Sequence, residues 1–315
     1  MGPTRQRTGA AYHPNVPTPA DEGPHPPDED PLFNESWYFD FAAADGSLGG
    51  YARLGLYPNQ GVAWYWAVLV GRDRPLLLVR DHDVPLPRVG LEIRSDGLWA
   101  ACNLETPLEH WSLGLEAFAV GLDDPAEAYR GERGDRVAFG LDLEWESVGP
   151  AYDYPGVSRY EVSCDVHGEI LVGDERIAFE GPGQRDHSWG HRDWWSFPWC
   201  WIAGRLDDGT AFHGSRPEIS GVRYEPGYVL PPGGELEPVA GFTVGDPVLG
   251  ADDLPRALDV RLGPLELSLT ALHHGPVLLP APDGRLSRLS RSLVRFDSDD
   301  GRSGTGWLEL NQPQA

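Results

Sequence analysis

From residue 32 onward, the chain consists of short segments in which apolar residues alternate with polar ones or form continuous runs, a pattern typical of β-strands. The predicted strands are 48–57, 62–70, 75–80, 97–103, 136–146, 158–167, 198–206, 210–217, 256–262, 265–273 and 302–311. Glycine, proline and aspartate separate these segments, and Asp-Gly between two apolar runs is a strong hairpin signal. Only residues 124–130 indicate a helix, and it is short. We therefore expect an all-β protein.

The first 31 residues differ from the rest of the chain. They contain eight prolines together with acidic residues and almost nothing large and apolar. Such a segment has too little apolar surface to bury, so residues 1–31 are predicted to be a disordered Pro-rich tail. Because this segment lacks the apolar run of a secretory signal, a cytoplasmic location is expected.

Two hairpins of similar sequence indicate an internal repeat. Residues 38–53 and 201–216 each contain an aromatic strand, an Asp-Gly turn and a returning strand that ends in an arginine, Arg53 or Arg216. Their separation is about half the chain, which favours a tandem duplication, although any two hairpins share some features. We expect two lipocalin-like antiparallel β-barrel domains, 32–180 and 181–315. The two arginines are expected to form structural ion pairs.

Composition narrows the classes of partner. The chain has 315 residues, of which 40% are hydrophobic, and a formal net charge of −24. This charge disfavours nucleic acid and anionic membrane surfaces as partners, and no run approaches the length of a membrane span. The three cysteines, Cys102, Cys164 and Cys200, have neither a disulfide nor a zinc spacing, so we expect buried free thiols.

Residues 183–195 combine more ionisable and tryptophan side chains than any other stretch of similar length in the chain. The segment reads Gly-Gln-Arg-Asp-His-Ser-Trp-Gly-His-Arg-Asp-Trp-Trp. Aromatic walls with a few fixed polar groups are typical of small-molecule sites. His187 and His191 are four residues apart, a spacing that converges on a helix but not on a strand, and no third ligand has a recognisable spacing. We therefore expect no metal and no cofactor.

Strand periodicity divides this motif between two faces. His187, Trp189 and His191 are predicted to line one wall, while Asp186 and Ser188 point to the other face. His187 is the predicted proton donor, Trp189 is predicted to stabilise a carbocation, and Asp186 or Asp193 could orient the imidazole. The alternative is a core histidine packed against tryptophan.

Other aromatic and acidic residues are candidates for substrate contact. In the segment 34–41, Glu35 and Asp40 accompany several rings, although an ordinary core strand is also an interpretation. Glu309, on the last predicted strand, is a candidate second acid. The predicted substrate-binding residues are Trp194, Trp195, His191, Trp201, Trp37, Tyr38 and Glu309.

The motif Asp-His-Ser-Trp-Gly at 186–190, in a two-domain β chain, resembles the carotenoid 1,2-hydratase (hydroxyneurosporene synthase) superfamily. That superfamily includes lipocalin-like Diels–Alderases and many uncharacterised bacterial proteins, which this chain resembles most. The resemblance implies two tandem lipocalin-like barrels, a ligand cavity at or between them, and cofactor-free work on hydrophobic substrates. His187 and Trp189 match the histidine and tryptophan that serve alkene protonation in the hydratases. The acid that follows the motif there has no counterpart here.

Two functions are compatible with the sequence. The first is a cofactor-independent enzyme, a lyase or an isomerase, that acts on an unsaturated isoprenoid, terpenoid or polyketide-like molecule by proton transfer. It would catalyse hydration, isomerisation or cyclisation. The second is a non-catalytic carrier for a lipid, steroid or terpenoid that uses the same cavity.

Overall fold

The computed structural model describes residues 17–219 and 221–314, and almost all of the regular structure is β. Three short 3₁₀ helices span Pro19–Glu22, Pro58–Gln60 and Pro125–Tyr129. The strands are β1 (Phe33–Ala42), β2 (Leu48–Tyr57), β3 (Val62–Gly71), β4 (Leu76–Pro85), β5 (Leu91–Ser95), β6 (Leu98–Thr106), β7 (His110–Leu122), β8 (Asp135–Ser147), β9 (Tyr152–Asp153), β10 (Arg159–Val172), β11 (Glu175–His191), β12 (Trp199–Leu206), β13 (Ala211–Ile219), β14 (Val222–Arg223), β15 (Gly227–Leu230), β16 (Glu237–Pro238), β17 (Phe242–Val244), β18 (Val248–Leu249), β19 (Pro255–Leu262), β20 (Leu265–His274), β21 (Val277–Pro280), β22 (Leu286–Ser298) and β23 (Ser303–Pro313).

The first sheet closes into a ring. Its strand order is β4-β3-β2-β1-β11-β10-β8-β7-β6-β5, and an additional pairing of β4 with β7 joins the two sides. All of the pairings are antiparallel, and β9 pairs with β10 at the margin. Alternate residues of these strands point into the ring, where Trp111, Leu113 and Leu115 of β7 are buried.

The second sheet is a half-barrel. Its order is β16-β15-β13-β12-β23-β22-β20-β19-β17, with β14, β18 and β21 paired at its margins. Among the described residues, no pairing joins β16 to β17, so this sheet stays open where the first one closes. The predicted all-β class with two antiparallel sheets is confirmed.

The two sheets share a hydrophobic core. Tyr51, Trp66 and Val68 from the first sheet pack in one cluster with Trp201 and Trp307 from the second. Hydrogen bonds cross the same boundary, since the Trp307 indole N–H donates to the Phe41 carbonyl oxygen at 3.1 Å. The sheets are therefore held in a defined relation, and residues from both can form one site.

The two hairpins that indicated a repeat occupy equivalent places. β1 and β2 form the first hairpin, and β12 and β13 form the second. In each sheet the first strand of the hairpin also pairs with the last long strand, β1 with β11 and β12 with β23. The duplication itself stays a prediction, and the matching topology supports it.

Residues 17–31 do not form the predicted disordered tail. Glu22 is fully buried, and its backbone carbonyl accepts a hydrogen bond from the Trp37 indole at 3.2 Å. The segment is ordered because it inserts the Glu22 carboxylate beside the buried Arg185, and not because it buries apolar surface. Composition does not reveal such a contact. The predicted tail residues 1–16 lie outside the described part of the chain.

The change of sheet also lies later than the predicted boundary at 180. Strand β11 extends to His191 and pairs with β1 and β10, so the whole motif at 183–191 belongs to the first sheet. The predicted helix at 124–130 is the 3₁₀ helix Pro125–Tyr129. The three cysteines are free and buried, as expected. No helix in the described ranges is long and apolar enough to span a membrane.

Candidate active site

A cavity of about 440 Å³ lies between the two sheets. On the first sheet, a row of paired residues crosses neighbouring strands: Trp66 of β3 lies opposite Arg53 of β2, which lies opposite Tyr38 of β1, which lies opposite Asp186 of β11. Paired residues in a sheet point to the same face, so these side chains line the cavity together. The row continues to Glu161 of β10, which is paired with Asp186.

The second sheet supplies a matching row. Trp201 of β12 lies opposite Glu309 of β23, which lies opposite Arg291 of β22. Arg291 forms a salt bridge with Glu309, and its guanidinium lies 4.2 Å from the ring centre of Tyr38 on the first sheet. This cation–π contact fixes the two rows against each other.

Asp186 is an acid in the cavity wall, and its surroundings change its pKa strongly. It is 6% exposed, and its carboxylate accepts a hydrogen bond from Arg159 at 2.9 Å. Burial raises the pKa of Asp186 to about 7, and the neighbouring charge of Glu161 adds to the rise, while Arg159 opposes it. A large fraction of Asp186 therefore carries a proton at neutral pH.

Glu161 has the opposite electrostatic environment. It is fully buried and accepts hydrogen bonds from Arg159 at 2.6 Å, from the Trp201 indole at 3.0 Å and from Gln184 at 2.9 Å. Burial would raise the pKa of Glu161, but the His213 imidazole, the Arg159 guanidinium and the donors Gln184 and Trp201 hold it below its usual value. Two adjacent carboxyl groups thus have pKa values moved in opposite directions, an arrangement that assigns acid and base roles in enzyme sites.

Two further buried groups surround this pair. The Tyr154 hydroxyl lies 2.5 Å from Nε2 of His213, and burial lowers the pKa of that imidazole to about 4. Asp40 lies behind Tyr38, whose hydroxyl donates to it at 2.9 Å, and burial raises the pKa of Asp40 to about 8. At neutral pH Asp40 is therefore mostly protonated.

The cavity wall also contains hydrogen-bond donors that lack acceptors. Within residues 17–219 and 221–314, Nη1 of Arg53 and the indole N–H of Trp194 are buried without a partner. The Arg53 guanidinium lies between the rings of Trp66 and Trp194, 4.8 and 4.7 Å from their centres. Its Nη2 donates to the amide oxygen of Asn34 at 2.8 Å and no carboxylate pairs with it in the described part of the chain, so the predicted ion pair of Arg53 is wrong there. A ligand oxygen would satisfy such donors.

His187 lies on the opposite face of β11, inside the ring of the first sheet. Its Nε2 is 2.9 Å from Oε1 of Glu35, its Nδ1 is 2.7 Å from the carbonyl oxygen of Asp21, and Trp37 stacks on it at 4.4 Å. Asp186 does not contact it, because neighbouring residues of a strand point to opposite faces. The predicted orientation of His187 by Asp186 is therefore wrong, and the carboxylate partner is Glu35.

A second histidine joins this interior group. Nδ1 of His25 lies 2.7 Å from Oε1 of Glu35, and its ring stacks on Trp189 at 3.9 Å. The potential ligand atoms of His25, Glu35 and His187 all lie within 4.8 Å of one another, which is close enough for them to hold a metal ion. The sequence argument against a metal considered only His187 and His191.

The structure divides the predicted site residues between these two places. The cavity lining includes Asp186, Tyr38, Trp194, Trp201, Glu309 and His191. His187, Trp189 and Trp37 face the interior of the ring instead, and Trp195 packs against Trp64 and donates to the Leu279 carbonyl oxygen at 2.9 Å. His191 departs from the predicted wall because Gly190, with φ of +108°, interrupts the alternation of the strand.

Sequence reasoning missed four arginines of the cavity lining as parts of a site, Arg53, Arg159, Arg192 and Arg291. It also missed Glu161, which is paired with the lining residue Asp186. Glu161 has no signal in the sequence, since it occupies a polar position of the alternating segment Tyr160-Glu161-Val162-Ser163-Cys164. In such a strand the polar positions are expected to face solvent, so the burial of Glu161 depends on the second sheet that covers this face. Arg291 has no signal either, because Ser and Arg surround it.

The chain resembles known proteins both in its sequence profile and in its fold. The profile of one protein family, described as "Domain of unknown function (DUF7064)", matches residues 18–314. No curated protein matches the sequence. A Nitrosomonas europaea protein provisionally named AttH has a crystal structure similar to this chain, with a TM-score of 0.63, 18% identity, and coverage of 96% of this chain and 98% of that one. The crystal structure of kievitone hydratase from Nectria haematococca has a TM-score of 0.63, 9% identity, and coverage of 95% and 93%. At these identities the likeness establishes the fold.

Proposed function

The chain belongs to the DUF7064 family, and we propose that it is an enzyme that transfers a proton to an unsaturated hydrophobic small molecule in the cavity between its two sheets. The observation that carries the proposal is Asp186, a buried carboxyl group with a pKa of about 7 in the wall of an aromatic cavity. An acid with a pKa near the working pH is the most effective general acid, because it holds a proton and also releases it readily.

The aromatic wall supports the chemistry that follows protonation. Asp186 would give its proton to one carbon of a double bond, which leaves a carbocation at the other carbon. The π-faces of Trp201, Trp194 and Tyr38 would stabilise that positive charge. The reaction ends when water adds and returns a proton to the Asp186 carboxylate, or when the cation loses a neighbouring proton to it. For cyclisation, a second double bond first attacks the cation to close a ring, and the new cation then loses a neighbouring proton to the Asp186 carboxylate. These endings correspond to hydration, isomerisation and cyclisation.

The polar groups of the wall indicate where the substrate would be held. The unpartnered N–H groups of Arg53 and Trp194 favour a substrate with an oxygen, such as a hydroxyl, carbonyl or carboxylate, at one end of an apolar body. Arg159 donates to both Glu161 and Asp186, which fixes the acid beside its charged neighbour. The likeness of fold to kievitone hydratase, whose name denotes a hydration reaction, adds support for hydration.

The test is the variant Asp186→Asn, which keeps the shape of the acid but cannot donate its proton in the same way. Wild type and variant are incubated in D₂O with a panel of unsaturated aromatic and isoprenoid compounds, and mass spectrometry follows deuterium incorporation or gain of water. We expect the variant to lose roughly 10²- to 10⁴-fold in rate. Asp142→Asn, an exposed change on β8 of the same sheet, serves as the control with unchanged rate.

The pH dependence provides a second measurement. Because the protonated form is the active one, the rate should be highest below pH 7 and fall as pH rises through the Asp186 pKa of about 7. Turnover that survives in Asp186→Asn would contradict the assignment of the acid. Tight binding of panel compounds without turnover in the wild type would instead favour the carrier function.

A further inference from the structure

We propose that His25, Glu35 and His187 form a binding site for a divalent transition-metal ion, with zinc as the best match. The site lies inside the ring of the first sheet, on the opposite face of β11 from the cavity. It does not depend on the proposed function, because none of its residues lines that cavity.

The three side chains converge from separate parts of the chain. His25 lies in the segment before β1, Glu35 on β1 and His187 on β11. Oε1 of Glu35 is 2.7 Å from Nδ1 of His25 and 2.9 Å from Nε2 of His187. Two histidines and one glutamate are a common donor set for zinc, and imidazole nitrogen suits this ion better than it suits magnesium or calcium.

The hydrogen-bond geometry of His187 suits a metal ion at this place. Its Nδ1 faces the Asp21 carbonyl oxygen at 2.7 Å, so an Nδ1–H can donate to that oxygen. Its Nε2 then carries a free lone pair and faces the Glu35 carboxylate at 2.9 Å. A metal ion bound to both Nε2 and Glu35 would satisfy these two groups.

The surroundings favour the metal ion. An Nδ1–H donated to a backbone carbonyl is the outer contact typical of a metal-bound histidine, and it leaves Nε2 as the ligand. The same Glu35 oxygen meets a second imidazole from His25, while the backbone N–H of His25 donates to the other oxygen at 2.8 Å. Asp21 adds negative charge, since its carboxylate is 3.7 Å from Nε2 of His25. One divalent ion would neutralise this group more completely than one proton.

The proposed metal site is open to solvent on one side, and aromatic rings hold its two histidines in place. The His25 side chain is 21% exposed, whereas Glu35 and His187 are 3% and 1% exposed, so the site opens to solvent at His25. Trp189 stacks on His25 and Trp37 stacks on His187, which holds both rings in place. Three protein ligands leave a coordination position for water or another small ligand.

The experiment titrates the metal-free full-length protein with Zn²⁺ by calorimetry and with Co²⁺ by visible absorption. We expect one ion bound per chain, a tetrahedral Co²⁺ spectrum and a rise in Tm on adding Zn²⁺. His25→Ala and Glu35→Gln should each weaken binding at least tenfold and remove the rise in Tm. His110→Ala is the matched control, because His110 also pairs with a carboxylate, Glu144 at 2.5 Å, but no third potential ligand atom converges on that pair among the described residues.

Circular dichroism of each metal-free variant establishes that it is folded, and His25→Ala is the most favourable case because that side chain is partly exposed. The proposal is overturned if folded wild-type protein shows no saturable binding of either ion. Binding that is equally strong in wild type, His25→Ala and Glu35→Gln would also overturn it.

Discussion

Glu22 and Arg185 form an ion pair inside the ring of the first sheet. Nη1 of Arg185 donates to Glu22 at 3.0 Å, and the side chains are 3% and 0% exposed. Tyr160 donates to the same carboxylate at 2.5 Å, and Trp111 also donates to it. Burial opposes the charge of Glu22, yet Arg185 and these donors hold its pKa below the usual value. The pair explains why a polar N-terminal segment is ordered.

Glu22→Ala should therefore destabilise the protein strongly. The change leaves the Arg185 guanidinium buried without its partner, which costs about 3–5 kcal/mol of unfolding free energy. Glu22→Gln should cost less, because its amide oxygen still accepts hydrogen bonds. Urea unfolding followed by tryptophan fluorescence measures both. Glu92→Ala, which removes the partner of exposed Arg94, is the control and should cost about 0–1 kcal/mol. Equal losses in Glu22→Ala and Glu92→Ala would contradict the structural role of the buried pair.

The motif at 183–191 shows what single residues reveal before a structure is known. Alternation along the strand correctly separates His187 and Trp189 from Asp186 and Ser188, since the interior and the cavity lie on opposite sides of β11. The partners of His187 could not be predicted, because Asp21 and Glu35 come from positions far away in the sequence. Only strand register brings Glu35 next to Trp189.

At the scale of elements, the last strand approaches its neighbour more closely than a side chain permits. A Cβ atom on Gly306 of β23 would lie 2.1 Å from the carbonyl oxygen of Ala203 on β12, and one on Gly304 would lie 2.0 Å from that of Arg205. The sequence indicates this close approach through the Gly-Thr-Gly pattern at 304–306. β23 also carries Glu309 into the cavity, so the spacing of these strands positions part of the site.

Gly306→Ala should force β12 and β23 apart. Overpacking of this kind costs about 1–3 kcal/mol, and we expect a matching fall in the unfolding free energy and a lower Tm in calorimetry. Gly23→Ala is the control, because its Cβ would meet nothing within 4 Å and its φ is −92°. If Gly306→Ala is as stable as Gly23→Ala, the strands tolerate the extra atom and the close approach has no energetic role.

Strand β22 shows why some elements escape prediction. Its sequence repeats Ser and Arg, yet Ser287, Ser290, Arg291 and Ser292 are all buried. Each has a polar partner elsewhere, such as Asn311 for Ser287 at 2.8 Å and Tyr129 for Ser290 at 2.8 Å. Alternation of apolar and polar residues identifies strands whose inner face is apolar. Where buried positions of a strand are polar and bond to side chains elsewhere in the fold, the sequence loses this alternation.

At the scale of the molecule, the fold class was predictable and the relation of the sheets was not. Turn residues and strand patterns are local, so they predict an antiparallel all-β protein with many hairpins. The row Trp66, Arg53, Tyr38, Asp186 and its counterpart Trp201, Glu309, Arg291 meet only because the two sheets pack together. A site that is made from two sheets cannot be read from the sequence of either one.

A buried acid between the two sheets, Asp40, makes the stability of the whole molecule depend on pH. Burial raises the pKa of Asp40 to about 8, whereas an unfolded aspartate has a pKa of 3.8. Between these values the folded state binds more protons than the unfolded state, so the unfolding free energy falls as pH rises. His82, His213 and His274, whose pKa values burial lowers to about 3, about 4 and about 4 from 6.5, act in the opposite direction as pH rises through 6.5. These imidazoles are the same in the wild type and in a variant of Asp40, so the difference between the two proteins from about pH 6.5 to 8 isolates the contribution of Asp40.

Asp40→Asn should remove about 1–2 kcal/mol of the decrease in unfolding free energy across that interval. The amide keeps the size of the acid and the acceptor for the Gln184 N–H, which donates to Asp40 at 2.8 Å, but it does not titrate. Urea unfolding at several pH values measures the slope for wild type and variant. Asp45→Asn is the control, because turn hydrogen bonds from Ser47 hold the pKa of Asp45 below its usual value and its change should not alter the slope. An unchanged slope in Asp40→Asn would mean that Asp40 is ionised in the folded protein, and that the space between the sheets solvates charge better than its burial indicates.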